Sequence, residues 1–419
     1  MPRPHLHLFD AVGIELEYMI VDSGTLNVRP IADVVLRDET GAVASEVEHG
    51  SLAWSNELVS HVIELKTNGP AATLDGLAEA FQSQVGEINR QLAPHGARLL
   101  PSAMHPWMDP HAEMVLWPHE YGPVYEAFNR IFDCRGHGWA NLQSMHINLP
   151  FSGDEEFGRL HAAVRLVLPL LPALAGSSPI MDGNRTGLMD SRLEVYRTNS
   201  RRIPSVAGRV IPEPAFDAAS YSRLIFTPMF ADIAPHDPEG VLQDEFLNAR
   251  GAIARFSRGT IEIRVIDVQE CPAADLAIAA AAISVVKLLV DQHWTDTRSQ
   301  QSIPVEPLEA VFLAAIRDAE RATVDSPELL QQFGVSAMSL TLAELWQHLL
   351  REVAPDPSAG FDWRPTIDTI LRRGPLARRI TDALSASPDP AELRRLYARL
   401  ADCLASGSLF VASGSDPDA

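Results

Sequence analysis

Four segments of the sequence alternate apolar side chains with charged or polar ones, and this alternation constrains the fold more than any other feature. The segments cover residues 12–21, 61–67, 143–149 and 260–267. Neighbouring side chains on a β-strand point to opposite faces of the sheet. Strict alternation therefore predicts four strands, each with an apolar face for packing and an opposite face that holds polar groups.

The polar faces concentrate negative charge. In chain order they hold Glu15 and Glu17, Glu64 and Lys66, His146, and Glu262 and Arg264. One interpretation is a solvated outer face, where such residues are common. Adjacent carboxylates repel one another unless a cation lies between them. If the strands are neighbours, this set and Glu57 would suit more than one hard divalent ion, such as Mg²⁺ or Mn²⁺.

Glu57 fits this interpretation only under one condition. It lies seven residues before Glu64, so strand parity would place the two side chains on opposite faces. A bulge or a bend before His61 is therefore required if both are ligands.

The rest of the chain predicts an α+β fold. Apolar spacing predicts helices over residues 74–92, 158–174, 272–293, 307–322 and 338–352. No break separates two domains, so we predict a single domain over residues 9–411 with a helical part from about residue 300. Residues 412–419 are small and acidic, which predicts a disordered tail.

Composition excludes several classes of protein. Lys and Arg total 34 against 55 Asp and Glu, and the net charge of −21 disfavours a nucleic-acid partner. The three cysteines are an odd number without CxxC spacing, which disfavours a disulfide framework and favours the reducing cytoplasm. The apolar stretch at 276–290 is too short to span a bilayer, so we expect a buried helix and no membrane partner.

Common nucleotide and hydrolase motifs are missing from the sequence. It has no GxxxxGK[ST] loop, no GxGxxG after a strand, no HExxH and no GxSxG. An ATP-dependent enzyme without a P-loop remains open if metal ions and arginines hold the phosphates.

An ordered series of motifs resembles glutamate–cysteine ligase family 2, the carboxylate–amine ligases with a glutamine-synthetase-like catalytic sheet. The motifs are GIELE at 13–17, NELVSHVIELKT at 56–67, MHIN at 145–148 and IEIRVIDVQ at 261–269. The likeness covers about residues 13–290. It implies a curved, mainly antiparallel β-sheet funnel flanked by helices, with ATP entering one end.

The resemblance also implies roles for individual residues. Glu17, Glu57 and Glu64 would hold one Mg²⁺, and Glu15, His146 and Glu262 would hold another. Arg264 would contact the phosphoryl group during transfer, and Arg192, Arg185 and Lys66 would contact ATP. Arg192 would share the catalytic role of Arg264.

Two segments have open interpretations. Residues 184–208 contain Arg185, Arg192, Arg197, Arg201 and Arg202, which indicate either a solvated loop or a mobile basic segment that closes on phosphates or a carboxylate. The second segment contains three irregularly spaced histidines, His105, His111 and His119. They indicate either a zinc site or ordinary histidines at the polar rim. The family usually has H-V-H-V where this chain has M-H-I-N, so we expect Met145 and Asn148 to alter the pocket rim.

The resemblance implies an ATP- and Mg²⁺-dependent ligase that works through an acyl phosphate, with glutamate and cysteine as substrates. A ligase that uses another amine or carboxylate, a metal-dependent hydrolase and a non-catalytic nucleotide-binding protein are the alternatives. The sequence decides neither the acceptor amine nor whether the chain forms a homo-oligomer.

Overall fold

The four alternating segments form adjacent strands of one antiparallel sheet. The computed structural model describes residues 6–354 and 360–411, and the predicted tail at 412–419 lies outside the described residues. The large sheet contains β1 (Gly13–Asp22), β2 (Glu46–His49), β3 (Leu52–Asn56), β4 (Val62–Thr67), β5 (Ala97–Leu100), β6 (Ser144–Pro150), β9 (Ala252–Arg255) and β10 (Thr260–Asp267). Their order is β2-β3-β4-β1-β6-β10-β9, with β5 also paired to β1. The sheet confirms the predicted α+β class.

Among the described residues, two small two-stranded sheets lie outside this sheet. One joins β7 (Ile180–Met181) to β8 (Asn184–Arg185), and the other joins β11 (Thr323–Val324) to β12 (Leu340–Thr341).

Helices flank the sheet on its apolar face and elsewhere. They are α1 (Leu77–Leu92), α2 (Pro110–Glu113), α3 (Gly122–Phe132), α4 (His137–Ala140), α5 (Gly153–Val167), α6 (Pro172–Ala175), α7 (Ser191–Tyr196), α8 (Ala218–Tyr221), α9 (Thr227–Ile233), α10 (Pro272–Val290), α11 (Thr297–Gln301), α12 (Val305–Asp318), α13 (Pro327–Gln331), α14 (Leu342–Glu352), α15 (Arg364–Arg373), α16 (Leu376–Asp382) and α17 (Pro390–Ser406). Ile14, Ile147 and Ile263 are buried in one core with residues of α1, α5 and α10. The alternation therefore places one face of each strand in the core.

The predicted helices form, with changes at their ends. The helix predicted over 158–174 is α5, which begins earlier, at Gly153, and ends at Val167. A 3₁₀ turn and the short α6 follow, because Pro169 and Pro172 cannot donate the backbone hydrogen bonds that would continue α5. Helix α10 begins at Pro272, before the apolar stretch, and is long and apolar enough to cross a membrane, so the expectation that it is too short is wrong. Most of the helix is buried inside the protein, as predicted.

A buried ion pair connects the C-terminal helices to the sheet. Glu270, three residues after β10, accepts a hydrogen bond from the Arg379 guanidinium of α16 and another from the backbone N–H of Phe410. Glu270 and Arg379 are both buried. This contact supports our proposal of one domain over residues 9–411.

We predict that acid destabilises the fold through His105. This side chain is 1% exposed, its Nε2 donates to the Leu26 carbonyl at 2.7 Å and its Nδ1 accepts the Trp107 N–H. Burial lowers the pKa of His105 from 6.5 to about 4. Between these values the unfolded chain binds more protons than the folded one, so the free energy of unfolding falls as the pH drops, by about 3 kcal/mol from this residue.

Urea unfolding between pH 7 and pH 4 measures this effect. His105→Asn should flatten the pH dependence of the unfolding free energy, whereas His111→Asn, which removes an exposed histidine of the same segment, should leave it unchanged. An unaltered pH dependence in His105→Asn would contradict the prediction.

Candidate active site

The register of the sheet brings the predicted charged residues together. Across the ladders, Glu15 of β1 lies opposite Lys66 of β4 on one side and His146 of β6 on the other. Glu17 lies opposite Glu64 of β4. Residues directly opposite each other in an antiparallel pair have side chains on the same face. The polar faces of β4, β1, β6 and β10 therefore form one continuous charged surface.

One group of three ligand-type side chains lies between β1, β6 and β10. The Nδ1 atom of His146 lies 2.8 Å from Glu15 Oε2 and 3.9 Å from Glu262 Oε1. One ligand atom from each of these residues lies within 4.8 Å of the others. These are the three residues that the family resemblance assigns to one metal ion.

A second group combines Glu17, Glu64 and His146, again with ligand atoms within 4.8 Å of one another. The Nε2 atom of His146 lies 3.8 Å from Glu17 Oε1. The resemblance assigns Glu57, not His146, to this set. Among the described residues Glu57 belongs to neither group.

Glu57 nevertheless lies near this second group. It falls in the connection between β3 and β4, so it is not on the same strand as Glu64, and the bend required before His61 is present. The charges of Glu17 and Glu64 act on its carboxyl group.

The acidic groups repel one another in this arrangement. Burial and then the charge of Glu15 raise the pKa of Glu64 to about 7, although Lys66 and a hydrogen bond from Ser55 oppose the shift. Burial and the charge of Glu17 raise the pKa of Glu57 well above its ordinary value. A cation between these side chains would favour their ionised forms.

His146 and Glu15 form a charge pair within the cluster. Burial disfavours the ionised form of Glu15, but the hydrogen bond and charge of His146 lower its pKa to about 2. Burial likewise disfavours protonated His146, but its hydrogen bond with Glu15 raises its pKa. A divalent ion binds neutral imidazole and would replace the proton on His146.

Hydrogen bonds from small polar side chains fix the carboxylates. Ser144 donates to Glu17 Oε2 through its backbone N–H at 2.6 Å and through its hydroxyl group at 3.0 Å. Ser55 donates to Glu64 Oε1 at 2.6 Å. Neither serine belongs to the site predicted from the sequence, although Ser144 shares the strand parity of His146.

The two departures from the family motif have different outcomes. Asn148 donates a hydrogen bond to Glu15 Oε1 at 3.0 Å, so it does alter the charged surface. Met145 is fully buried in the core, opposite Leu16, on the apolar side of the sheet. The expectation that Met145 alters the pocket rim is wrong, because strand parity turns its side chain away.

A β-bulge in β10 sets the position of Arg264. The register shifts between Ile263 and Ile266, so Arg264 and Val265 together lie opposite His146. The extra residue bends the strand and returns Ile266 to the buried core. Strict alternation predicts no bulge.

Cations lie at both ends of the acidic cluster. The Nε atom of Arg264 lies 3.4 Å from Glu262 Oε1. At the other end Lys66 Nζ lies 2.6 Å from Glu46 Oε2 and 3.4 Å from Glu64 Oε1. Both Arg264 and Lys66 are partly exposed, so both remain accessible to an anionic ligand.

Arg192 lies behind the charged surface. It is 1% exposed, its Nε donates to Asp267, and its terminal nitrogens donate to the backbone carbonyl of Arg264 at 3.3 and 3.4 Å. These contacts leave Arg192 unavailable to phosphate in this arrangement. They indicate instead that Arg192 positions the strand that carries Arg264.

Arg185 and Arg197 of the basic segment contact protein groups. Arg185 donates to the backbone carbonyls of Thr381 and Leu384, away from the cluster. Arg197 pairs with Glu194, three residues earlier on the chain. The structure therefore does not bring Arg185 to the site expected from the resemblance.

The three histidines of the 105–119 segment do not converge. His105 is buried and bonded to the Leu26 carbonyl, His111 is exposed, and His119 lies 3.9 Å from Asp33. Within the described ranges these three histidines form no group of metal ligands.

A family model and several known proteins match this chain. The model of a family described as glutamate–cysteine ligase family 2 matches residues 11–389. An uncharacterized protein of Archaeoglobus fulgidus is 33% identical over 77% of this chain and 84% of its own length. A glutamate–cysteine ligase of Halobacterium salinarum is 23% identical over 85% of this chain and 93% of its own length.

A solved structure shares the fold. The crystal structure of a glutamate–cysteine ligase from Francisella tularensis in complex with AMP superposes with a TM-score of 0.58, at 12% identity, over 95% of this chain and 89% of that one. The sheet and its flanking helices therefore have the fold of glutamate–cysteine ligases.

We predict that Glu64→Gln removes metal-dependent stabilisation. Mg²⁺ at about 100 times its dissociation constant should stabilise the wild-type protein by about 2.7 kcal/mol. The variant should lose most of this gain, because an amide oxygen is a weaker ligand than a carboxylate. In EDTA it should be at least as stable as wild type, because the substitution removes repulsion from Glu15. Thermal unfolding with and without Mg²⁺ measures both effects.

Glu48→Gln is the matched control, since Glu48 is an exposed carboxylate on strand β2 of the same sheet. It should respond to Mg²⁺ as wild type does. An equal Mg²⁺ response in wild type and Glu64→Gln would show that Glu64 does not bind the ion.

Proposed function

The chain belongs to glutamate–cysteine ligase family 2, and from this premise we propose that it joins the γ-carboxyl group of glutamate to the amino group of cysteine with ATP and Mg²⁺. The observation that supports this most is the convergence of Glu15, Glu17, Glu64, Glu262 and His146 on one sheet face, with Arg264 beside them. A surface of buried carboxylates would repel ATP on its own, so it suits ATP only together with cations.

The donor atoms fit Mg²⁺ or Mn²⁺. Both ions prefer carboxylate oxygens, and Mn²⁺ also accepts one imidazole readily. We assign Glu15, His146 and Glu262 to one ion, and Glu17 and Glu64, with Glu57 nearby, to a second. Bound divalent ions would neutralise the carboxylates and bind phosphate oxygens of ATP.

The reaction needs activation of the carboxylate, because oxide is too poor a leaving group for direct condensation with an amine. The substrate carboxylate attacks the γ-phosphorus of ATP, which gives an acyl phosphate and ADP. The amine then attacks the acyl carbon and phosphate leaves. We propose that the enzyme contributes mainly positioning and charge stabilisation.

Specific residues of this chain supply that contribution. Arg264 places a fixed positive charge beside Glu262, where negative charge moves during phosphoryl transfer. Ser144 and Ser55 hold Glu17 and Glu64 in fixed orientations, which reduces reorganisation during the reaction. Arg192 acts through the backbone of Arg264 as a positioning residue.

We place the reaction in the cytoplasm. Cys134, Cys271 and Cys403 are free thiols, which suits a reducing compartment. We propose that the substrates are small molecules. The net negative charge disfavours a nucleic-acid partner, and the burial of α10 disfavours a membrane partner.

We predict amine-dependent release of ADP when the purified protein receives ATP, Mg²⁺ and glutamate. A screen of amine acceptors, read by ADP formation and by product mass, measures it. Cysteine should give the expected γ-glutamyl product, and another amine as the best acceptor would change the substrate assignment only. Cleavage of an amide by water without ATP would indicate a hydrolase, and nucleotide binding without turnover would indicate a non-catalytic protein.

We also predict that Glu17→Gln lowers kcat by about 10²–10³-fold while the protein stays folded, because the change removes one preorganised charge from the site. Steady-state ADP release and circular dichroism provide the measurements. Glu48→Gln should retain wild-type kcat. Near-normal turnover in Glu17→Gln would refute the metal-ligand assignment of Glu17.

A further inference from the structure

A second arginine lies beside Glu262, on a strand outside the four alternating segments. Arg255 ends β9, the edge strand that pairs with β10. In that ladder Ile253 lies opposite Glu262, and Arg255 has the same parity as Ile253. The Nη1 atom of Arg255 lies 3.6 Å from Glu262 Oε2, while Arg264 Nε lies 3.4 Å from Oε1. Two guanidinium groups therefore flank one carboxylate.

This carboxylate does not satisfy the two guanidinium groups. Both distances exceed the 2.7–2.9 Å typical of charge-assisted hydrogen bonds. Within residues 6–354 and 360–411, neither Arg255 nor Arg264 pairs with any other carboxylate, and Arg264 Nε has no hydrogen-bond partner. The side chains are only 15% and 26% exposed, so water replaces few of the missing contacts. The pair keeps a net positive charge and free N–H donors.

The charge imbalance grows when the site is loaded. Glu262 belongs to the first group of ligand-type residues, with Glu15 and His146. A carboxylate that binds a cation has less charge left to offer two guanidinium groups. An anion with several charged oxygens is then needed at this end of the cluster, and a single carboxylate would satisfy only one arginine.

We propose that Arg255 is a second phosphate-binding arginine, which holds the terminal phosphates of ATP together with Arg264. This inference rests on the proposed use of ATP. A purely structural role would be to fasten the β9–β10 hairpin through Glu262. The 3.6 Å between Arg255 Nη1 and Glu262 Oε2 is long for that structural role. It leaves the guanidinium group free to bind a ligand.

Binding measurements test the proposal without turnover. Isothermal titration calorimetry with Mg²⁺ compares a non-hydrolysable ATP analogue with AMP, which lacks the terminal phosphates. Arg255→Ala should weaken binding of the analogue by about 10–100-fold, the loss expected for hydrogen bonds to a charged group. Its affinity for AMP should stay within about twofold of wild type, because AMP does not reach Arg255. Arg255→Lys should lose less affinity for the analogue, since it keeps the charge but not the planar fork.

Arg258→Ala is the matched control, since Arg258 is exposed in the turn of the same hairpin. It should bind both nucleotides as wild type does. Unchanged binding of the analogue to Arg255→Ala would overturn the proposal. Equal losses for AMP and the analogue would also overturn it and indicate a structural role. If Arg255→Ala does not fold, the binding of the analogue and of AMP is compared in Arg255→Lys instead.

The proposal and the proposed function can fail separately. If Arg255→Ala loses affinity for the analogue but no amine yields product with the wild-type protein, the role of Arg255 stands and the ligase reaction is wrong. If the wild-type protein makes product and Arg255→Ala changes only the KM for glutamate, Arg255 binds the substrate carboxylate and the phosphate proposal is wrong.

Discussion

Burial of several like charges on one face of a sheet is the constraint on which the rest of this structure depends. Glu17 and Glu64 are each 7% exposed and lie directly opposite each other, an arrangement that destabilises a sheet. Burial also removes the hydration that stabilises a carboxylate. Hydrogen bonds from serines and the imidazole of His146 offset part of this energy. The rest of this unfavourable free energy would be relieved by a bound cation. The surface is therefore suited to binding a cation, and it lowers the stability of the fold without one.

Much of the fold follows from the two-residue period of apolar side chains along the strands. The pleat requires alternate side chains to share a face, so alternation alone identifies β1, β4, β6 and β10 and the charged side of each. It does not fix which strands are neighbours. The family resemblance implies that Glu15 and His146 share a metal ion, and the ladder between β1 and β6 places these two residues opposite each other.

Arginine roles were harder to predict, for a physical reason. A guanidinium group binds phosphate, carboxylate and backbone carbonyl groups with similar geometry, so sequence does not distinguish a ligand contact from a structural one. Arg192 is held by Asp267, which lies 75 residues later in the chain. Arg255 was not predicted as a site residue, because β9 contains only four residues and one charged side chain, too few to show an alternating pattern. Met145 was misassigned because a motif comparison took precedence over strand parity.

The bulge at Arg264 and Val265 also limits how β10 can assemble with β6 during folding. Slippage by one residue would turn Glu262 toward the helices and an isoleucine toward the carboxylates. Such a chain would bury an uncompensated charge among apolar side chains, at several kcal/mol. Misregistered intermediates are therefore unable to complete the core. The irregularity that directs an arginine thus also selects the native strand pairing.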